Sequence, residues 1–116
     1  MDIEFEKAKH EELANDHDAL RKKFNKKDAL YGEEIVIVLT ILKAASSLYD
    51  VPRSYHPHPL SGRYKGCFAV DISPNEGRGK YRMIFRPKRE KDSVFRIDNY
   101  KTISSVAIVE IFKDYH

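Results

Sequence analysis

Hydrophobic positions follow a helical period in the first half of the chain and alternate after Gly62. Over 3–27 the apolar positions Phe5, Ala8, Leu13, Leu20 and Phe24 are set sparsely among charges. That is a helical pattern, which Asp16 or Asp18 interrupts or recaps. Ile3 and Phe5 also fit a short edge strand ahead of the helix. The segment 33–49 is better defined. Its run Ile35, Val36, Ile37, Val38 alone suits a strand, but Ile35, Val38, Leu39, Leu42, Ala45 and Leu48 recur at helical spacing. Glu33 and Glu34 stand at its start, where a helix dipole favours negative charge. The spacing predicts a helix, much of it in the core.

Pro52, Pro57 and Pro59 stop that helix and make a rigid connector. Beyond it, Phe68, Val70 and Ile72 alternate with Cys67, Ala69 and Asp71, predicting a strand over 64–73. The Gly-, Pro- and Asn-rich stretch 73–79 reads as a hairpin turn. Tyr81, Met83 and Phe85 then alternate with Arg82, Ile84 and Arg86, up to Pro87. A charged turn at 88–92, a third strand at 93–98 and a fourth at 105–113 complete the pattern. The expectation is one α+β domain over 1–116, with N-terminal helices packed on a four-stranded antiparallel sheet.

Composition narrows the setting. Cys67 is the only cysteine, which excludes an intrachain disulfide and a Cys-based zinc cluster and fits a reducing cytoplasm. The acidic start does not resemble a secretory signal, and the apolar stretch Ile35 to Leu39 is too short to span a bilayer. Charge is unevenly placed within the overall +3. Residues 1–50 hold eight Lys/Arg against eleven Asp/Glu, whereas 51–116 hold thirteen against seven. A basic, strand-rich half points to a polyanion, in first place nucleic acid. The acidic half then offers a surface for something else.

Three groups of residues carry candidate chemistry. Arg82 and Arg86 share one face of their strand by parity and need an anionic partner. That partner is either Glu110 or Asp114 in a salt bridge, or a phosphate, which arginine grips bidentately. His56 and His58 have the spacing of a metal-ligand pair, but no third ligand stands nearby in sequence and zinc wants three or four. Asp114, Tyr115 and His116 follow directly on the apolar run Val106 to Phe112. An acid, a phenol and an imidazole are there mounted on a predicted strand, as site residues should be. Read alone, they favour the plainer reading of a sheet strand with a solvated tail.

Taken together, His58, Pro59, Leu60 and Gly62, then Lys65 and Gly66, then Tyr81, Arg82 and Phe85, then the final Asp114, Tyr115 and His116 resemble the HigB-type toxins of the RelE/ParE superfamily. The resemblance covers 56–116; the first half matches only in general layout. It implies a RelE-like fold and ribosome-dependent endonucleolytic cleavage of messenger RNA without metal or cofactor. It also implies a cognate antitoxin, HigA-like and with a helix-turn-helix domain, as partner. By motif position, Arg82, Asp114, Tyr115 and His116 are the catalytic residues. Family members often carry Lys where this chain has Ser61, and Arg63 and Lys65 are close enough to supply that charge.

Metal-free RNA cleavage uses the 2′-hydroxyl as an internal nucleophile and needs a base, an acid and cations around the phosphorane. His116 suits either proton-transfer role near neutral pH, with Asp114 orienting it. Tyr115 suits base stacking or a hydrogen bond to phosphate. Arg82, with Arg63 or Lys65, suits the scissile phosphate, while Ser61 and Arg86 extend the RNA-binding surface. Two other readings stay open: a gyrase poison of the same superfamily, against which the terminal imidazole speaks, and an RNA binder that does not cleave.

Overall fold

The computed structural model describes residues 1–24, 30–72, 81–88 and 99–114. The chain opens on a strand rather than a helix. β1 (Asp2–Phe5) packs Ile3 and Phe5 against the core and leaves Asp2 and Glu4 exposed. α1 (Ala8–Ala14) and α2 (His17–Lys22) follow. They part at Asp16, whose carboxylate accepts a hydrogen bond from the Ala19 amide at 3.1 Å as a helix N-cap. The helical segment anticipated over 3–27 therefore resolves into the alternative edge strand and two short helices.

α3 (Leu30–Ala44) buries the predicted stripe, with Ile35 and Leu42 fully enclosed. It ends earlier than expected. The carbonyls of Leu42 and Lys43, which a continuing helix would need, accept instead from the Met1 nitrogen at 3.2 and 3.0 Å. Leu48 nevertheless stays in the core, tied by its amide to the Ile103 carbonyl at 2.9 Å.

The remaining strands are β2 (His58–Pro59), β3 (Phe68–Asp71), β4 (Tyr81–Pro87) and β5 (Ser105–Asp114). They form one five-stranded sheet in the order β1-β5-β4-β3-β2. β1 runs parallel to β5, and the other pairs are antiparallel. The four-stranded antiparallel expectation is thus corrected to a mixed sheet, with the α+β class retained. Sequence alternation detects strands but not a parallel partner at the far end of the chain. The strand expected over 93–98 and the turn over 73–79 lie outside the described residues. The strand expected over 64–73 is shorter because Gly62–Tyr64 forms a 3-10 turn and Gly66 adopts φ +89°, a backbone shape that suits glycine.

One face of the sheet packs on the helices. Phe68, Val70, Met83, Phe85, Val106 and Ile108 join Leu20, Ile35 and Leu42 in the main core. β5 slips twice against β4, since Arg82 faces Lys113, Ile84 faces Glu110 and Phe85 faces Ile108. Those bulges let Ile108 and Ile111 both enter the same core despite their odd spacing. Phe24, Tyr31, Tyr81 and Phe112 form an aromatic group at the far ends of β4 and β5, with ring centroids 4.7 Å apart between Phe24 and Phe112 and 4.9 Å between Tyr31 and Tyr81. No helix among the described residues is long and apolar enough to cross a membrane.

α2 and α3 approach closely at Gly32, where a Cβ would lie 3.1 Å from the Arg21 backbone. Gly32→Leu should therefore lower stability by about 1–3 kcal/mol in urea unfolding, through overpacking. An unchanged midpoint would rule out that close helix contact.

Candidate functional site

The sheet face turned away from the helices is not uniform. In its middle, Cys67, Ala69, Ile84 and Val109 form a small apolar patch covered by Leu60 and Tyr64. To one side the charges are matched: Glu6 accepts from Arg86 Nε at 3.0 Å, Glu4 pairs with Lys88, and Lys7 reaches Glu110 at 3.0 Å. Arg86 thus takes its carboxylate from Glu6, just beyond β1, while Glu110, one of the partners weighed for the arginines, pairs with Lys7. These are exposed pairs worth roughly 0–1 kcal/mol each, so they place charge more than they stabilise the fold.

The opposite end of that face is different in kind. Asp71, Arg82 and Lys113 are successive register partners across β3, β4 and β5. Directly opposed residues of antiparallel strands point to the same face, so the three form a lateral row. Asp71 is buried, with 6% of its surface exposed, and its Oδ1 accepts no hydrogen bond from the described residues. Its Oδ2 lies 3.8 Å from His56 Nδ1, within ion-pair range but beyond a hydrogen bond.

His56 itself occupies the left-handed region at φ 51°, ψ 55°, the one non-glycine with positive φ among the described residues. That conformation costs an L-residue roughly 1–2 kcal/mol. The chain turns there out of the 3-10 segment Arg53–Tyr55 and into β2. The imidazoles of His56 and His58 stack with centroids 4.3 Å apart and planes inclined by 20°. His58 Nδ1 lies 2.7 Å from the His56 carbonyl oxygen. A carbonyl can only accept, so Nδ1 carries the hydrogen and donates it. In the neutral ring Nε2 then holds the lone pair, which makes His58 a competent proton acceptor.

Of the residues singled out from sequence, Arg82 stands in the middle of this row and is half-buried. Arg86 lies four residues further along β4, about 13 Å away at the usual strand rise. Asp114 is the last residue of β5 and pairs in register with Tyr81, the neighbour of Arg82. Tyr115 and His116 lie outside the described residues. Ser61, Arg63 and Lys65 are exposed around the 3-10 turn Gly62–Tyr64, where the Arg63 guanidinium stands 5.6 Å from the Tyr64 ring centroid. That loop begins at the end of β2, two residues beyond His58.

Asp71 and Lys113 were not singled out from the sequence. Asp71 occupied a polar place in an alternating strand, a position that normally faces water, and only the tertiary fold buries it. His56 and His58 were weighed as metal ligands only. His58 Nδ1 is instead engaged by a carbonyl, and no three His, Cys, Asp or Glu side chains among the described residues are grouped to hold a metal.

Compared with models of known protein families and with curated proteins, the chain matches none.

The loop over the outer face gives a direct check. Burial raises the Cys67 thiol pKa, with Glu6 adding to the effect and Arg86 opposing it. The thiol should therefore react slowly with iodoacetamide in the native state. Tyr64→Ala should speed alkylation several-fold without unfolding the protein. Fast labelling of the wild type would mean that the loop does not cover the sheet.

Proposed function

We propose that this protein is the toxin of a type II toxin–antitoxin pair, a RelE-like, HigB-type endoribonuclease that cuts messenger RNA on the ribosome. The observation that supports this most is the juxtaposition at one end of the sheet. The row of Asp71, Arg82 and Lys113 adjoins a pair of stacked imidazoles, one of them held as a proton acceptor. Cations beside a placed base are what transesterification of RNA requires.

In this reading Arg82 and Lys113 hold the scissile phosphodiester. His58 Nε2 takes the proton of the 2′-hydroxyl, and the 2′-oxygen attacks phosphorus. The bond to the 5′-oxygen breaks, and that oxygen takes a proton from His116. The products are a 2′,3′-cyclic phosphate and a 5′-hydroxyl end. Asp71 orients His56 against His58, and Asp114 orients His116. Tyr115 stacks on a neighbouring base or donates to the phosphate. Arg63, Lys65 and Ser61 contact the strand on either side of the cut, while Arg86, engaged by Glu6, contributes less. The chemistry relies on the substrate's own 2′-hydroxyl, so the reading includes no metal or cofactor. It places the protein in the cytoplasm with the ribosome, held in check by a small antitoxin that carries a helix-turn-helix domain.

The test is cell-free translation with primer extension on the message. Wild type should leave discrete cuts, whereas inhibition without cuts would favour a binding poison. Arg82→Ala should abolish cutting with thermal stability largely kept. His56→Asn, His58→Gln and His116→Gln should each lower the single-turnover rate by about two to four orders of magnitude. Asn tolerates the left-handed region, so the first of these tests chemistry rather than backbone strain. Arg86→Ala should cost far less than Arg82→Ala. Full activity of Arg82→Ala would remove the phosphate clamp. Co-expression with the adjacent reading frame should rescue growth and yield a complex; healthy growth with the toxin alone would count against the whole reading.

A further inference from the structure

A cleft of about 610 Å3, within the range of roughly 300–1,000 Å3 usual for small-ligand sites, opens beside His56. Leu48 and Val51 are buried at its base, and Tyr49, Arg53 and Tyr100 line it with His56. The catalysis proposed above leaves this space unused.

Its most unusual wall is Tyr49. Among the described large hydrophobic side chains only Tyr49 and Ile37 are exposed, Tyr49 at 59%. The Tyr49 ring is not loose, since the Lys101 ammonium stands 4.7 Å from its centroid in a cation–π contact. Tyr100 is fixed edge-on against Phe68 with centroids 5.3 Å apart. Burial raises the pKa of its hydroxyl, so the phenol is neutral at physiological pH.

The lining chooses among ligands. A purely apolar guest would gain nothing from Arg53 and His56, or from Lys101 beside Tyr49, and would bring Asp50 out of water. A bare phosphate would meet Asp50 as a like charge and leave the Tyr49 face unused. A flat, polar-edged ring carried on an anionic strand matches all of them: its face to Tyr49, its edge to Asp50 and Arg53, its phosphates to the cations. We propose that this cleft takes an unpaired nucleobase of the RNA whose phosphate lies at Arg82, stacked on Tyr49. His56 joins the two places, lining the cleft while it faces Asp71, the register partner of Arg82. The inference rests on the RNA-cleaving reading and adds a base-binding subsite to it.

Single-turnover cleavage of ribosome-bound synthetic messages, titrated with the protein, tests it. Tyr49→Ala should raise the half-saturating concentration about 5–150-fold, the usual loss for one stacked base, with the maximal rate little changed. Tyr49→Phe keeps the ring face and should restore most of the affinity. Replacing each nucleotide around the cut in turn by an abasic one should reveal one position where wild type loses as much as Tyr49→Ala loses on intact message. At that position the two losses should not add, the signature of one shared contact. If Tyr49→Ala saturates like wild type, or if the losses add at every position, the subsite is overturned while the nuclease reading stands. If wild type cuts no message, the nuclease reading fails and this inference falls with it.

Discussion

The structure depends on how β5 is held. It has a strand on each side, β1 parallel and β4 antiparallel. It is apolar on both faces, with Val106, Ile108 and Ile111 toward the helices and Val109 in the outer patch. Such a strand cannot shift register without moving its whole set of buried side chains. Its two bulges against β4 are therefore fixed features. They decide that Lys113 faces Arg82 and that the strand ends beside Tyr81. Beneath that end, the rings of Phe24, Tyr81 and Phe112 pack against one another, so Arg82 and Lys113 stand next to a filled core.

Charge distribution follows from the same pairing. The acidic start of the chain, taken alone, looks like a separate surface for a partner. By pairing with β5, however, β1 brings Glu4 to Lys88 and Glu6, just after it, to Arg86. Part of the acidic half is thus spent within the sheet, matching cations of the basic half. The consequence is directional. Arg86 and Lys88 are engaged at one end of β4, while Arg82 at the other end stands in register with Lys113. The pairs with the start of the chain thus lie at the end of β4 away from the imidazoles.

Legibility in the sequence divides along the same lines. Ile35, Val38, Leu39 and Leu42 are buried on α3 as their spacing predicts, because helical periodicity is a local signal that tertiary packing reinforced; Ala45 and Leu48 are buried too, but beyond the end of that helix. Alternation likewise placed Phe68, Val70, Met83 and Phe85 in the core. The end of α3 was not legible, since the Met1 nitrogen that takes its carbonyls comes from the other end of the helical half. Nor was the parallel β1–β5 pair, which leaves no trace at either strand. At the candidate site, strand parity singled out Arg82, and the structure places it in the row with Asp71 and Lys113. Asp71 was missed because its burial is created by segments around it, and a polar residue at a polar place in the alternation raises no alarm.

Local disadvantages are concentrated at this end of the sheet, and they support the functional reading proposed for it. A histidine precedes a proline in the left-handed region, although proline disfavours helical conformations in the residue before it. A carboxylate is buried with one oxygen lacking a hydrogen bond from the described residues. Each costs stability, and a sequence under no other demand would remove them with a glycine at 56 and an apolar residue at 71. Their arrangement is nevertheless coherent. With the turn at His56, its carbonyl accepts from His58, the two rings lie face to face, and Asp71 meets His56 from the sheet. Strain and buried charge persist where the surrounding fold over-determines them, and such places cluster at sites that bind or react. Here the over-determination comes from β3 and the residue after it, since Val70 and Ile72 are fully buried in the main core and hold Asp71 in position between them.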